Sequence, residues 1–491
     1  MCVYNSYGFL QALLADCLAN STAHLNGGCE QFAHGVTYNE VMKLFAMGYS
    51  WSGNASHLAA STVAFEMMLR YDMQPHGVNS ADEDLNGIAP NLATETCDVS
   101  DFIFSSSWLY RITGGAQYGD RLEKAFHNAA PAAVNRSFEG HVYFQSPNYV
   151  PGQNTFGHPG DKWDEALWHG PPCCTGNQAR MLPNYIHHMW FGTADGGLAA
   201  TMYGPNTVTT AVGTAKSLRN ITIVSDTTYP FARDNAITYT VSLRGGGGYS
   251  ARTAVTFPLL LRVPGWTTLA DVKLRVNGAA VVAPQPDPTL AGFIRLDRSW
   301  HDGDVVRLAL PMQIVATKSE TVSNGWLNMS EHVGTGAHTV ASGRVSDLAK
   351  AGLTTPVLGG GHMNMTAGVP FCVVERGPLL FALPLEPSEN GLAPVPGPTP
   401  PPAAAPPFNY ALECDASTME LLGGTAMPAG PFDWPLDAPI KIAAKAAEFA
   451  WPTAWVLPAK AITKKASTAL TLVPYGSTKE FRVSMFPYIA S

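Results

Sequence analysis

The sequence of 491 residues has few charged side chains and no long apolar run. Asp, Glu, Lys and Arg make up 14% of it, and the net charge is −8 with no basic cluster, which argues against nucleic acid as the partner. No apolar segment is long enough to cross a bilayer. Low charge with 10% aromatic residues suits a protein that handles a neutral polar ligand such as a sugar. The length predicts about three domains.

Cysteine is also sparse, and its positions do not form the dense framework of a small secreted protein. The eight cysteines are residues 2, 17, 29, 97, 173, 174, 372 and 414. The first 19 residues lack the basic segment of a signal peptide and are typical of an amphipathic helix, so we expect the chain to begin inside a domain. The sequence contains six Asn-x-Ser/Thr sequons, where roughly three would be expected by chance, and this excess favours the secretory pathway. They begin at Asn20, Asn54, Asn135, Asn220, Asn328 and Asn364.

Apolar residues recur at helical spacing through residues 1–197, which we predict to be a domain of helical hairpins. Thr37 and Glu40 have the spacing of a capping box. A helix through Val99 and Leu109 should end at Gly114, and Asp120 is a candidate cap for the next helix.

Near residue 200 the apolar period changes from 3.6 to 2. In "AITYTVSL" the residues Ile237, Tyr239, Val241 and Leu243 alternate with polar ones, and Asn277-Gly278 has the composition of a two-residue hairpin turn. We therefore predict a β-sandwich middle domain over 198–386. A Pro-rich linker over 387–407 and a C-terminal β-strand region over 408–491 follow.

Two pairs of chemically reactive residues precede predicted helices. Glu95 and Cys97 lie just ahead of one helix, and Cys173 and Cys174 lie ahead of another. A helix N-terminus favours thiolate, and two such turns facing each other would gather a tetrahedral, sulfur-rich ligand set of the kind zinc prefers. Spacing alone leaves other interpretations open, namely inert buried thiols or a disulfide from either cysteine of the second pair.

Other candidates are individually weaker. Glu83, in the acidic stretch "ADEDLNG", is a general acid/base if it faces a cleft, although such a stretch is usually a solvated loop. His34 could contact a sugar hydroxyl or have a purely structural role. Tyr143, in "HVYFQSPNY", could line a sugar subsite or belong to a core strand.

Taken together, these motifs resemble glycoside hydrolase family 127, the β-L-arabinofuranosidase-like enzymes. The resemblance covers most of the chain and includes "HGV" (34–36), "SADEDLNG" (80–87), "ETC" (95–97), "CCTGNQAR" (173–180), "LRVPGW" (261–266) and "ERGPLLFAL" (375–383).

The resemblance implies a multidomain α plus β fold, in which an (α/α) toroid of helical hairpins is followed by β-sandwich domains. It implies one zinc ion per chain, held by Glu95, Cys97, Cys173 and Cys174. It also implies Cys173 as nucleophile and Glu83 as acid/base of a retaining glycosidase that releases terminal β-L-arabinofuranosyl or related furanosyl residues from glycans. His34 and Tyr143 would contact the sugar.

The chain departs from that family in the length of its helical part. A full toroid needs roughly 300 residues, so we expect an incomplete one, resembling the family from partway through the barrel onward. Such a barrel would expose helix faces, which favours a homo-oligomer. Two alternatives to a glycosidase follow, a non-catalytic zinc- and sugar-binding relative and a polysaccharide lyase.

Overall fold

The N-terminal part of the described chain is mainly helical. The computed structural model describes residues 34–82, 84–85, 87–90, 92–134, 140–150, 172–214, 218–243, 254–323, 326–327, 343–344, 367–385, 408–425, 438–451, 457–478 and 481–490. Its helices are α1 (Gly35–Met42), α2 (Leu44–Ser52), α3 (Ala55–Tyr71), α4 (Thr96–Thr113), α5 (Ala116–His127), α6 (Ala129–Ala132) and α7 (Pro172–His187). None of the helices in these ranges is long and apolar enough to span a membrane.

Several predicted features lie outside the described residues. They are Glu83, the helix predicted for residues 1–19, the linker 387–407, and the sequons at Asn20, Asn135, Asn328 and Asn364.

Helix boundaries follow local signals with two corrections. As predicted, α4 ends at Gly114, whose φ of 68° is left-handed and is readily adopted only by glycine. The Thr37/Glu40 capping box is wrong, because α1 begins earlier and the His34 ring accepts the Thr37 backbone N–H at 3.2 Å. Asp120 is not a cap either, since α5 begins at Ala116 and Asp120 bonds the Gly265 backbone N–H instead.

Short strands among the helices form a small sheet that carries part of the candidate site. Its strand order is β2-β1-β4-β5, with β1 parallel to β4 and the other pairs antiparallel. The strands are β1 (Ala81–Asp82), β2 (Asp84–Leu85), β3 (Gly87–Ile88), β4 (Thr94–Glu95), β5 (Phe144–Gln145) and β6 (Asn148–Tyr149). Glu95 pairs with Phe144 across β4 and β5, so the sheet fixes where α4 begins.

Two sheets follow, in the orders β14-β13-β16-β11-β10-β9 and β15-β12-β8-β7. Their strands are β7 (Trp190–Gly192), β8 (Leu198–Ala200), β9 (Asn206–Val212), β10 (Arg219–Asp226), β11 (Ala236–Ser242), β12 (Val255–Arg262), β13 (Lys273–Val276), β14 (Ala279–Ala280), β15 (Phe293–Trp300) and β16 (Val305–Ala309). Buried side chains from both sheets, such as Ile223 and Leu259, form one core. The predicted alternation is confirmed, because Ile237, Tyr239 and Val241 are all buried.

The C-terminal part is a third β region, whose main path is β17-β21-β22-β26-β25-β23. The remaining strands are β17 (Ile314–Glu320), β18 (Val322–Ser323), β19 (Trp326–Leu327), β20 (Gly343–Arg344), β21 (Pro370–Arg376), β22 (Leu379–Pro384), β23 (Tyr410–Leu412), β24 (Glu420–Gly423), β25 (Ile440–Glu448), β26 (Thr468–Pro474) and β27 (Arg482–Val483). A disulfide between Cys372 and Cys414 links β21 to the residues after β23. The described chain is thus a mixed α and β structure with few helices and many strands.

Candidate metal centre and active site

Glu95 and Cys97 lie at the junction of a strand and a helix. Glu95 ends β4 with extended backbone angles (φ −71°, ψ 146°) and is the N-cap residue of α4, so Cys97 lies in the first helical turn. The Thr96 backbone N–H donates to the Tyr143 carbonyl at 2.9 Å, which anchors the junction to the chain entering β5. This irregular turn lets two residues of i, i+2 spacing point to one place, as predicted.

Cys173 and Cys174 lie in the first turn of α7. The Sγ atoms of Cys174 and Cys97 are 3.2 Å apart. Glu95 Oε1 is 3.1 Å from Cys174 Sγ and 4.0 Å from Cys173 Sγ. One ligand atom from each of the four residues lies within 4.8 Å of all the others. Residues nearly 80 positions apart thus form a single cluster of three sulfurs and one carboxylate.

The donor set fits a tetrahedral metal ion. Two sulfurs bound to one zinc ion at about 2.3 Å and a tetrahedral angle lie roughly 3.8 Å apart. This separation falls between the 3.2 Å from Cys97 Sγ to Cys174 Sγ and the 4.8 Å within which all four ligand atoms lie. Three thiols with one carboxylate favour zinc over harder cations, which prefer oxygen alone. The cluster can therefore hold a metal ion.

The three thiols differ in their surroundings. All three are free, which excludes a disulfide at the Cys173-Cys174 pair in this structure, and only Cys173 is exposed. Hydrogen bonds from Cys174 and Cys97 lower the pKa of Cys173, while burial raises the pKa of Cys174. The hydrogen bond with Cys173 also raises the pKa of Cys97. Two helix N-termini converge here and favour negative charge, and Cys173 is the thiol best placed to carry it toward solvent.

Aromatic side chains wall the buried side of the cluster. Tyr143 and Phe144 pack with Cys97 and Cys174, and Val36 of α1 contacts the same group. Tyr143 is 7% exposed and meets Phe144 edge-on at 4.5 Å between ring centroids. Tyr143 is therefore adjacent to the candidate centre.

The remaining predicted site residues are His34 and Glu83. His34 is partly buried and caps α1 through its Nδ1 atom, which lies 3.0 Å from Thr37 Oγ1 and accepts the Thr37 backbone N–H. This gives His34 a structural role at the start of a helix whose Val36 reaches the cluster. Glu83 lies outside the described residues.

Two groups of polar contacts around the centre have no role in the sequence predictions. His141 Nε2 lies 3.0 Å from Thr175 Oγ1, directly after the cysteine pair. Arg180 of α7 pairs with Asp101 of α4 at 2.7 Å. The sequence could have indicated a role for Arg180 near the cluster. Asn177 and Arg180 follow Cys173 at i+4 and i+7, so they share its helix face.

Comparisons with known proteins agree on one family. Residues 9–187 match the model of the beta-L-arabinofuranosidase GH127 catalytic domain, and residues 197–312 match that of the GH127 middle domain. No curated protein matches the chain.

Solved structures share the fold. A GH127 beta-L-arabinofuranosidase from Geobacillus stearothermophilus T6 is 19% identical with a TM-score of 0.62, over 93% of this chain and 60% of that one. A structure described as a glycoside hydrolase is 17% identical with a TM-score of 0.61, over 93% and 66% of the two chains. A GH127 beta-arabinofuranosidase is 15% identical with a TM-score of 0.59, over 97% and 68%. The chain thus spans between 60% and 68% of the length of these three structures.

The two family models cover more than half of the chain and name the same family. The chain belongs to glycoside hydrolase family 127.

Proposed function

We propose that this protein is a zinc-dependent retaining glycosidase that releases terminal β-L-arabinofuranosyl or related furanosyl residues from glycans. The observation that carries the proposal is the cluster of Glu95, Cys97, Cys173 and Cys174, in which one thiol is exposed and two are buried. We further propose that the helical part corresponds to a portion of an (α/α) toroid. The two sheets of residues 190–309 would then be a β-sandwich.

Cys173 is the proposed nucleophile because its sulfur alone among the three faces solvent. Bound zinc would keep the coordinated thiols deprotonated near neutral pH. The Cys173 sulfur attacks the anomeric carbon and the glycosidic C–O bond breaks. The departing oxygen takes a proton from Glu83.

Water completes the proposed reaction. Glu83, now a carboxylate, accepts a proton from water as its oxygen bonds the anomeric carbon. The C–S bond breaks, and the sulfur leaves as thiolate. Two displacements retain the anomeric configuration, so the Glu83 carboxylate should lie on the order of 5 Å from Cys173 Sγ. We assign Tyr143, which packs beside Cys97 and Cys174, and His34 as contacts to the sugar.

Hydrolysis of an aryl β-L-arabinofuranoside, together with metal analysis, tests the proposal. We expect about one zinc per chain and measurable hydrolysis. Cys173→Ala should abolish turnover because no group replaces the thiolate. Glu83→Gln should lower it by roughly 10²- to 10⁴-fold, the usual contribution of general acid–base catalysis.

Glu66→Gln, on the exposed side of α3, is the control carboxylate and should retain full activity. Unchanged turnover in Cys173→Ala or Glu83→Gln would overturn the role of that residue. Zinc binding without turnover on a panel of aryl glycosides would instead indicate a non-catalytic sugar-binding relative. An ultraviolet-absorbing unsaturated product would indicate a lyase.

A further inference from the structure

Polar side chains continue along the α4–α7 contact beyond the four candidate ligands. On α4, Asp101 follows Cys97 by four residues, about one helical turn or 6 Å along the axis. On α7, Asn177 and Arg180 follow Cys173 by four and seven residues on the same face. Both helices begin at the cluster, so these side chains lie one to two turns behind it.

These three side chains form a closed set of contacts between the helices, which we name the Asp101–Asn177–Arg180 clamp. Arg180 Nη2 donates to Asp101 Oδ1 and to Asn177 Oδ1, each at 2.7 Å, and Arg180 Nε donates to Asn177 Oδ1 at 3.0 Å. Asn177 Nδ2 donates to Asp101 Oδ2 at 3.5 Å. The Asp101 side chain is fully buried, whereas that of Arg180 is 35% exposed. One guanidinium therefore ties its own helix to the neighbouring one.

A hydrogen bond to the backbone also fixes the position of α7 relative to α4. Ser100 Oγ on α4 donates to the Asn177 carbonyl on α7 at 3.0 Å. This bond and the Asp101–Arg180 pair fix both the rotation and the height of α7 against α4. A slip of one residue would move a side chain by 1.5 Å along the helix and 100° around it.

The candidate ligands come from both helices, so this register decides whether they meet. Cys97 Sγ and Cys174 Sγ are only 3.2 Å apart, while metal–ligand distances tolerate about 0.2 Å. A charge-assisted hydrogen bond between a buried carboxylate and a planar guanidinium is directional and strong. Lysine could not reproduce it, because an ammonium is a point charge that lacks the guanidinium fork.

We propose that Asp101, Asn177 and Arg180 are positioning residues that hold α7 in register on α4 and thereby set the metal affinity of the centre and the placement of Cys173. This inference rests on the proposed metal site, and its test measures metal binding separately from hydrolysis.

Titration of the metal-free 491-residue chain with Co²⁺ tests the clamp, because thiolate-to-cobalt absorption reports sulfur ligation directly. We expect Arg180→Met to weaken Co²⁺ binding by about 10- to 100-fold, as for the loss of groups that orient metal ligands. Arg180→Lys should bind Co²⁺ more tightly than Arg180→Met but more weakly than wild type. Asp101→Asn keeps the shape of the side chain and should weaken binding by a smaller factor. Arg111→Met, an exposed residue in the last turn of α4, is the matched control and should bind like wild type.

The outcomes separate this inference from the proposed function. If wild type shows no thiolate-to-cobalt band, the metal site itself is wrong. If wild type binds Co²⁺ and both Arg180→Met and Asp101→Asn bind it with the same affinity and spectrum, the clamp is wrong. Should Arg180→Met fail to fold, as judged by circular dichroism, the Arg180→Lys and Asp101→Asn titrations decide the question.

Discussion

At the scale of single residues, burial assigns different chemistry to identical side chains. Cys97 and Cys174 are buried and Cys173 is exposed, although all three lie in the first turn of a helix.

The protonation of histidine also depends on burial. His127 lies among Phe126, Tyr185 and Tyr229, with ring centroids 5.1 to 6.0 Å away. Burial lowers its pKa to about 3, so this histidine is neutral in the folded protein.

This burial predicts a loss of stability in mild acid. The unfolded chain binds a proton at His127 near pH 6.5, whereas the folded chain does not bind it until about pH 3. The contribution to stability is therefore present above pH 6.5 and is lost as the pH falls toward 3. At pH 5 the loss is on the order of 2 kcal/mol.

Urea unfolding at pH 7 and pH 5 measures this loss. His127→Gln should shrink the difference in unfolding free energy between the two pH values. His187→Gln, exposed at the end of α7, should leave it as in wild type. An equal pH dependence in His127→Gln and wild type would contradict the prediction.

At the scale of elements, turn residues set strand register. The hairpin of β13 and β14 pairs Val276 with Ala279 across Asn277 and Gly278. Both turn residues have positive φ, 51° and 79°, as a type I′ turn requires. Asn277 also bonds the Val305 backbone N–H and Asp304, each at 2.8 Å. The predicted turn is thus confirmed, and its Asn side chain is bonded to the start of β16.

Gly278→Ala should destabilise this hairpin through the backbone alone. A Cβ at Gly278 would meet no atom within 4 Å, so the cost is that of placing an L-residue in the left-handed region, roughly 1–2 kcal/mol. Amide hydrogen exchange in β13 and β14 should become faster.

Gly192→Ala is the control for that substitution. Its Cβ also enters open space, but its φ is not left-handed, so exchange in its own strand should stay unchanged. Equal effects of the two substitutions would show that backbone conformation is not the cause.

At the scale of the whole molecule, buried polar contacts join the helical part to both β regions. Arg262 of β12 pairs with Glu123 of α5 at 2.5 Å and with Asp120. Glu123 also accepts hydrogen bonds from the Tyr203 backbone N–H at 2.9 Å and the Tyr229 hydroxyl at 2.7 Å. On the other side, β6 pairs with β27. The helical part of the chain is thus joined to both β regions through α5 and β6.

Arg262→Met should therefore destabilise the protein strongly. Arg262 and Glu123 are both fully buried, and removing the cation leaves the Glu123 charge without its partner, which typically costs about 3–5 kcal/mol. Differential scanning calorimetry should show a lower melting temperature.

The exposed Arg275→Met serves as the control, since Arg275 lies on the solvent side of β13. We expect its melting temperature to stay within about 2 °C of wild type, as for other surface substitutions. A melting temperature of Arg262→Met that matches this control would contradict the assigned role of the ion pair.

The sequence alone determined features that depend on neighbours along the chain. Alternating apolar residues predicted β11, Gly114 predicted the end of α4, and Asn277-Gly278 predicted a turn, since each signal acts over a few residues. Residue chemistry, together with the family resemblance, also predicted that Glu95 and Cys97 would meet Cys173 and Cys174, and the four residues do lie together. Local signals were less reliable at helix starts, where His34 rather than Thr37 caps α1.

Only the tertiary structure decided what depends on distant residues. It brought Cys97 within 3.2 Å of Cys174, separated one exposed thiol from two buried ones, and paired Asp101 with Arg180. It also paired Cys372 with Cys414, which the scattered cysteines could not indicate. These contacts arise from how helices and sheets pack across long stretches of chain, and packing depends on the complementary shape and burial of whole surfaces. A local sequence pattern does not determine which of those surfaces pack together.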